Sequence, residues 1–172
     1  MTIGMLIEDH VDDREFIYPY YRLQEAGYSP LVIGPDSKDY RSKAGISFKA
    51  EIAAENVKAD ELAGLIIPGG YAPDRMRRHQ AMVEVVQAVD KANLPLGSIC
   101  HAGWMIISAK VVRGRRLTGH MSTRDDLTNA GAIYLEDRVV VDGNLVTAQH
   151  YLDLPGFMKA FLEVLTGARA DK

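Results

Sequence analysis

The chain has 172 residues, 47% of them hydrophobic and 25% charged, with a formal net charge of −3. That length and balance fit one globular domain over residues 1–172 with a sizeable core, and the mild acidity argues against nucleic-acid binding by bulk electrostatics. A lone cysteine leaves no internal disulfide and fits a reducing cytoplasm, while the opening Met1–Glu8 lacks a basic region and a long apolar run, so neither a secretory signal nor a membrane span is expected.

Residues 2–7 form a compact apolar run ending at Glu8-Asp9-His10, which predicts a buried first strand opening on acidic residues. Asp12-Asp13-Arg14-Glu15 then starts an amphipathic helix to about Glu25, with Phe16, Ile17, Tyr20 and Leu23 on its apolar face and Gly27 as its stop. Pro19 inside that pattern predicts a kink or a late start. Ser29–Ile33 reads as a second strand. Residues 36–62 are the least regular, with Gly45–Ala50 alternating as half of a hairpin and Asp60–Leu62 as a helical turn. Gly64–Gly70 is a strand ending in two glycines, and Asp74–Val89 is a helix.

Leu94–Gly103 is the stretch around which the rest is organised. A short apolar strand runs into a helix, His101 to about Val112 with Gly114 after it, and Cys100 stands at the junction between Ser98 and Ala102. Small-x-nucleophile-x-small is the steric signature of a nucleophile elbow, where the central residue is strained and faces outward. The helix behind it aims free N–H groups at that residue, favouring a thiolate and holding an oxyanion. Against this stands the ordinary fate of a lone cysteine, an inert buried hydrophobe. Thr123–Ala130 is a short helix, Val139–Thr147 a hairpin turning at Asp142-Gly143, and Leu154 to about Leu165 a last helix capped by Gly167.

Alternating strands and helices with short glycine-rich connections predict a doubly wound α/β sandwich with an antiparallel hairpin towards the end. Sites in such sheets lie outside the carboxyl ends of the strands. The loop Glu8–Glu15, the pair Gly69-Gly70 and Cys100 all satisfy that placement, and their convergence strengthens the catalytic reading.

The runs Ile17-Tyr-Pro-Tyr20, Ile66-Ile-Pro-Gly-Gly70, Ile99-Cys-His101, Asp125–Gly131, Val140–Thr147 and Asp153–Lys159 occur in the order and spacing of the PfpI proteins, so the chain resembles the DJ-1/PfpI superfamily over nearly its whole length. The resemblance implies a three-layer α/β/α sandwich, flavodoxin-like with a mostly parallel sheet, of the class I glutamine amidotransferase type. It also implies homo-oligomers, dimers and hexamers, and no cofactor. Members are described as intracellular proteases, as glyoxalase III-type enzymes converting methylglyoxal to lactate, as deglycases and as stress or redox-response proteins.

Carried onto this sequence, the resemblance makes Cys100 the nucleophile and Glu15 the buried carboxyl that bonds its thiol; the plainer reading of Glu15 is a solvated first-turn carboxylate. His101 is the base and an oxyanion donor through its N–H, although neighbours on a tight elbow diverge and its ring need not face the thiol. An acid from a neighbouring subunit orients it, and the matching position is Asp74, where the family often has glutamate; as sequence, Asp74 also reads as a helix N-cap. Gly70, with Gly69, supplies a second oxyanion N–H. Trp104, His120 and His150 depart from the family pattern as pocket candidates, and the two histidines suggest altered specificity. His10, His101, His120 and His150 raise metal binding, but their spacing matches no metal motif; no phosphate-binding fingerprint is present either, and the basic cluster Arg113–Arg116 reads as a solvated loop.

The expectation is therefore a cofactor-independent cysteine enzyme acting on an electrophilic carbonyl, with either a small carbonyl compound or a peptide as substrate, in a stress-protective role. The competing expectation is a non-enzymatic redox sensor or chaperone working through oxidation of Cys100.

Overall fold

The computed structural model describes residues 1–170, with side chains through residue 167. Its centre is a seven-stranded sheet built from β1 (Thr2–Leu6), β2 (Ser29–Gly34), β5 (Ile52–Ala53), β6 (Leu62–Ile67), β7 (Leu96–Ile99), β10 (Val139–Asp142) and β11 (Leu145–Ala148). The spatial order is β10-β11-β7-β6-β1-β2-β5, parallel throughout except for β10, which returns antiparallel on β11. The inner strands are almost wholly apolar because both faces are covered; Ile3, Met5, Leu6, Leu65, Ile66 and Ile67 are fully buried.

Helices α1 (Asp13–Glu25) and α6 (Leu154–Ala170) pack together on one face. Helices α3 (Gln80–Lys91) and α4 (Gly103–Ser108) cover the other, with α2 (Ala72–Met76) and α5 (Arg124–Asn129) against α4. Gly97 shows how closely the layers meet. A Cβ there would lie 2.8 Å from Phe157 Cζ and 3.2 Å from Phe161 Cδ2, so the missing side chain admits both rings of α6 to the sheet.

This is the α/β/α sandwich that the sequence predicts, with the Asp142-Gly143 hairpin in place. The chain moves outward from β1 to β2 on one side and from β6 to β7 on the other, so strand order reverses between β1 and β6. That switch point gathers the loops after β1, β6 and β7.

Several boundaries differ from expectation. The predicted helix 74–89 is two helices, broken where His79 takes an extended conformation (φ −100°, ψ 110°) and caps α3. Asp74 is thus inside α2, not its cap. The helix after the elbow stops at Ser108, because Lys110 turns left-handed (φ 61°). Gly167 does not end α6, which runs on to Ala170. Helix α1 starts at Asp13, not late, and continues through Pro19. The expected half-hairpin is β4 (Ser47–Lys49), and its partner is β3 (Asp39–Arg41), which carries no clear sequence signal, like the pairing of β8 (Arg116–Leu117) with β9 (Ile133–Tyr134).

Candidate active site

Strand β7 lies beside β6, one strand from the switch point, and the next residue, Cys100, holds a left-handed backbone (φ 61°) as it opens a 3-10 turn that leads into α4. A non-glycine residue there is strained, and the strain is tolerated because its surroundings fix it. Ser98 and Ala102 on either side are buried, as the elbow pattern requires.

Opposite the elbow, Gly69 makes room. A Cβ on it would stand 2.5 Å from Glu15 Oε2, 2.8 Å from Cys100 Cβ and 3.0 Å from the His101 nitrogen. Three elements therefore meet at a point only a glycine can occupy. Helix α1 delivers Glu15, which is 1% exposed and accepts the Gly69 N–H at 2.8 Å. Its carboxyl also hydrogen-bonds the Cys100 thiol. The sulfur receives the N–H groups of His101 and Gly70, the two groups expected from the sequence as oxyanion donors.

Charge in this pocket is scarce. Burial, reinforced by the nearby Asp12 carboxylate, pushes Glu15 up to about 7. Burial and then the Glu15 carboxylate push the Cys100 thiol up as well, against the N–H groups that would favour a thiolate. The helix terminus alone predicts a lowered thiol; burial of the sulfur first, and then the Glu15 carboxylate, reverses that. Charge on Glu15 and charge on Cys100 oppose each other, so the thiolate forms with Glu15 protonated.

His101 lies closer to the sulfur than the divergence of neighbours on a tight elbow suggests. Its Nδ1 is 3.1 Å from Cys100 Sγ and its Nε2 is 3.0 Å from Ser122 Oγ. Burial foremost, then the neighbouring His120, Lys43 and His150, holds the ring down at about 4. It is neutral at pH 7 and able to accept a proton.

The surrounding cleft has a volume of about 430 Å³ and includes His120, His150, Lys43 and Tyr71 in its walls. His120 stacks on His101 at 4.2 Å, and His150 lies 6.3 Å from His120, so both substituted histidines are in the site. Trp104 backs the cleft instead of lining it; its ring is 5.2 Å from that of His101 and its N–H donates to Asp126 at 2.9 Å. Asp74 does not join the cleft of its own chain, since its carboxylate binds Arg78 on the exposed side of α2.

Sequence reasoning missed the rest of the wall. Asp12 caps α1 and is gripped by Arg14 through Nε and Nη2 at 3.0 and 2.8 Å, with Lys43 at 3.5 Å. Burial raises the Asp12 carboxyl, but these cations outweigh it and hold it low. The Arg14 guanidinium sits 3.4 Å over the Tyr151 ring. The hairpin carrying Lys43 is docked by the Asp13 carboxylate, which accepts from the Ser42 hydroxyl and from the Ala44 N–H. Among the described residues, no three His, Cys, Asp or Glu side chains are grouped to hold a metal ion, and no helix is long and apolar enough to cross a membrane.

Known proteins resemble this chain in sequence and fold. The chain is 36% identical over 165 residues to the protein named Deglycase PfpI from Pyrococcus furiosus, covering 96% of this chain and 99% of that one. It is 35% identical over 164 residues to Putative cysteine protease YraA from Bacillus subtilis, covering 95% and 97%. The crystal structure of an Anabaena variabilis protein with DJ-1/ThiJ/PfpI-like and ferritin-like domains superposes with a TM-score of 0.93 at 36% identity, over 96% of this chain and about half (48%) of that one. The DJ-1/PfpI family model matches residues 1–164, and with the elbow, the sandwich and these relatives in agreement, the chain belongs to the DJ-1/PfpI family.

Proposed function

We propose that this protein is a cofactor-independent enzyme in which the Cys100 thiolate adds to an electrophilic carbonyl of a small dicarbonyl compound or its adduct. The observation that carries the reading is the sulfur's environment: a strained elbow residue, 6% exposed, in contact with a carboxyl of raised affinity for protons, a neutral imidazole and two N–H groups. An inert core thiol needs none of these. The relatives' names support parts of this reading: Deglycase PfpI from Pyrococcus furiosus names a deglycase, and Putative cysteine protease YraA from Bacillus subtilis names a reaction run by a cysteine.

Methylglyoxal, an aldehyde beside a ketone, is a substrate this site can turn over. His101 Nδ1 takes the thiol proton, the sulfur bonds the aldehyde carbon, and the new alkoxide lies at the N–H groups of His101 and Gly70. Glu15, protonated near neutrality, protonates the alkoxide to a hemithioacetal. Its carboxylate then removes the proton from the former aldehyde carbon while the His101 imidazolium gives the thiol's proton to the neighbouring ketone oxygen, forming an enediol. Glu15 returns its proton to the adjacent carbon and takes back the hydroxyl proton of the first, leaving a thioester with both residues in their starting states. Water cleaves the thioester to lactate and frees the thiol, so the net change is the addition of one water. A carbonyl-scavenging activity of this kind would serve a stress-protective role.

Two features favour small carbonyls over peptides and over redox sensing. A 430 Å³ cleft accommodates a compound of a few carbon atoms, whereas a peptide needs an extended groove at the sulfur. A thiol that is buried and pushed up reacts poorly with peroxide at rest. The test is to incubate the protein with methylglyoxal and, separately, with a fluorogenic peptide. Lactate without peptide cleavage is expected; peptide cleavage without lactate, or rapid Cys100 oxidation with neither, would overturn the reading.

A further inference from the structure

The hydrogen bonds around His101 settle which of its nitrogens carries the proton. The N–H of Ser122 can only donate, and it lies 3.2 Å from His120 Nδ1, so that nitrogen is bare. The Ser122 hydroxyl is 2.8 Å from the same nitrogen and must donate to it too. A hydroxyl has one proton to give. Towards His101 Nε2, 3.0 Å away, Ser122 Oγ therefore accepts, and Nε2 carries the hydrogen. In a neutral ring this leaves Nδ1 bare, and Nδ1 is the atom 3.1 Å from Cys100 Sγ.

We propose that Ser122, backed by His120, is the positioning residue that locks His101 as the base for Cys100 within a single chain. It occupies the place that the resemblance assigns to an acid at Asp74 of a neighbouring subunit, and it explains why two polar residues stand together in the loop before α5. The ring stacks on His120 at 4.2 Å and has Trp104 tilted against it at 5.2 Å. In the step itself the S–H bond breaks and an N–H bond forms at Nδ1, and the resulting imidazolium still donates from Nε2 to Ser122. The groups facing His101 are Cys100 at the elbow, Glu15 from α1, Lys43 from the β3–β4 hairpin, and His120 and His150 from the loops before α5 and α6. This inference rests on the reading of Cys100 as nucleophile.

Two measurements test it. Nitrogen-15 NMR of the imidazole rings in the unaltered protein should show His101 protonated at Nε2 and bare at Nδ1; a proton on Nδ1 would overturn the proposal without any variant. Alkylation of Cys100 by iodoacetamide, followed against pH, should slow about tenfold or more at neutrality in Ser122→Ala and His120→Ala. Ser122→Thr keeps the hydroxyl and should restore the pH profile, and His120→Asn, which keeps an acceptor where Nδ1 was but loses the stacked ring, should react faster than His120→Ala. Ser122→Ala reacting at the unaltered rate, or slowing in Asp74→Asn alone, would overturn it. Alkylation requires no substrate, so its outcome is separate from that of the lactate assay.

Discussion

Glu15 is where burial becomes chemistry. A carboxyl 1% exposed beside the Asp12 charge is driven from its ordinary 4.5 up to about 7, which makes it a proton carrier near neutrality. The same shift has a cost in stability. The folded state keeps this proton over a range where the unfolded chain has lost it, so the contribution is full below about pH 4.5 and is lost as pH rises through about 7. Above that range the ionised carboxylate costs about 3 kcal/mol. Glu15→Gln keeps an acceptor for the Gly69 N–H and a donor for the sulfur but cannot ionise. Its melting temperature should exceed that of the unaltered protein at pH 8 and match it at pH 5, while carbonyl turnover falls about a hundredfold; a variant less stable at pH 8 would contradict the assignment. Cys100, Glu15, His101 and Gly70 were legible because local patterns and the resemblance mark them. Ser122, Lys43 and Tyr151 were not. They come from separate loops that only the folded sheet brings together, and no spacing in the chain relates them.

At the scale of elements, contiguous apolar runs located the five inner strands, since burial on both faces leaves a strong signature. Helix ends were harder. The expectation used Gly114 and Gly167 as stops, but the chain stops α4 at a lysine. Lys110 turns left-handed, its N–H bonding Ile107 O at 2.9 Å and the Val111 N–H bonding Ile106 O at 3.2 Å, a Schellman closure usually made by glycine. The turn itself is real at Gly114, φ 73°, but it belongs to the next loop. In α6 the apolar row Phe157, Phe161, Leu165 carries the helix past Gly167, because one glycine costs only about 1 kcal/mol. Lys110→Gly should therefore stabilise the protein by about 1 kcal/mol in urea unfolding; a destabilised variant would show that the lysine side chain contributes something its exposure conceals. Strand β4 was read as half of a hairpin, but its partner β3 and the β8–β9 pairing escaped because strands of two or three residues have no period to detect.

In the whole molecule, the reversal of strand order between β1 and β6 is what makes a site out of separate loops. It opens the sheet at its carboxyl edge, and α1, the Gly69-Gly70 turn and the elbow close around one sulfur. The fold was readable because each of its levels, apolar runs, glycine turns and the Asp-Gly hairpin, pointed to the same architecture. The distribution of charge was not, because it depends on how deeply Glu15 and Cys100 sit relative to Asp12. The most direct test of the account is lactate formation from methylglyoxal by the unaltered protein and by Cys100→Ala and Cys100→Ser. The account predicts sustained turnover by the first and none by either variant; turnover that survives the loss of the sulfur would contradict it.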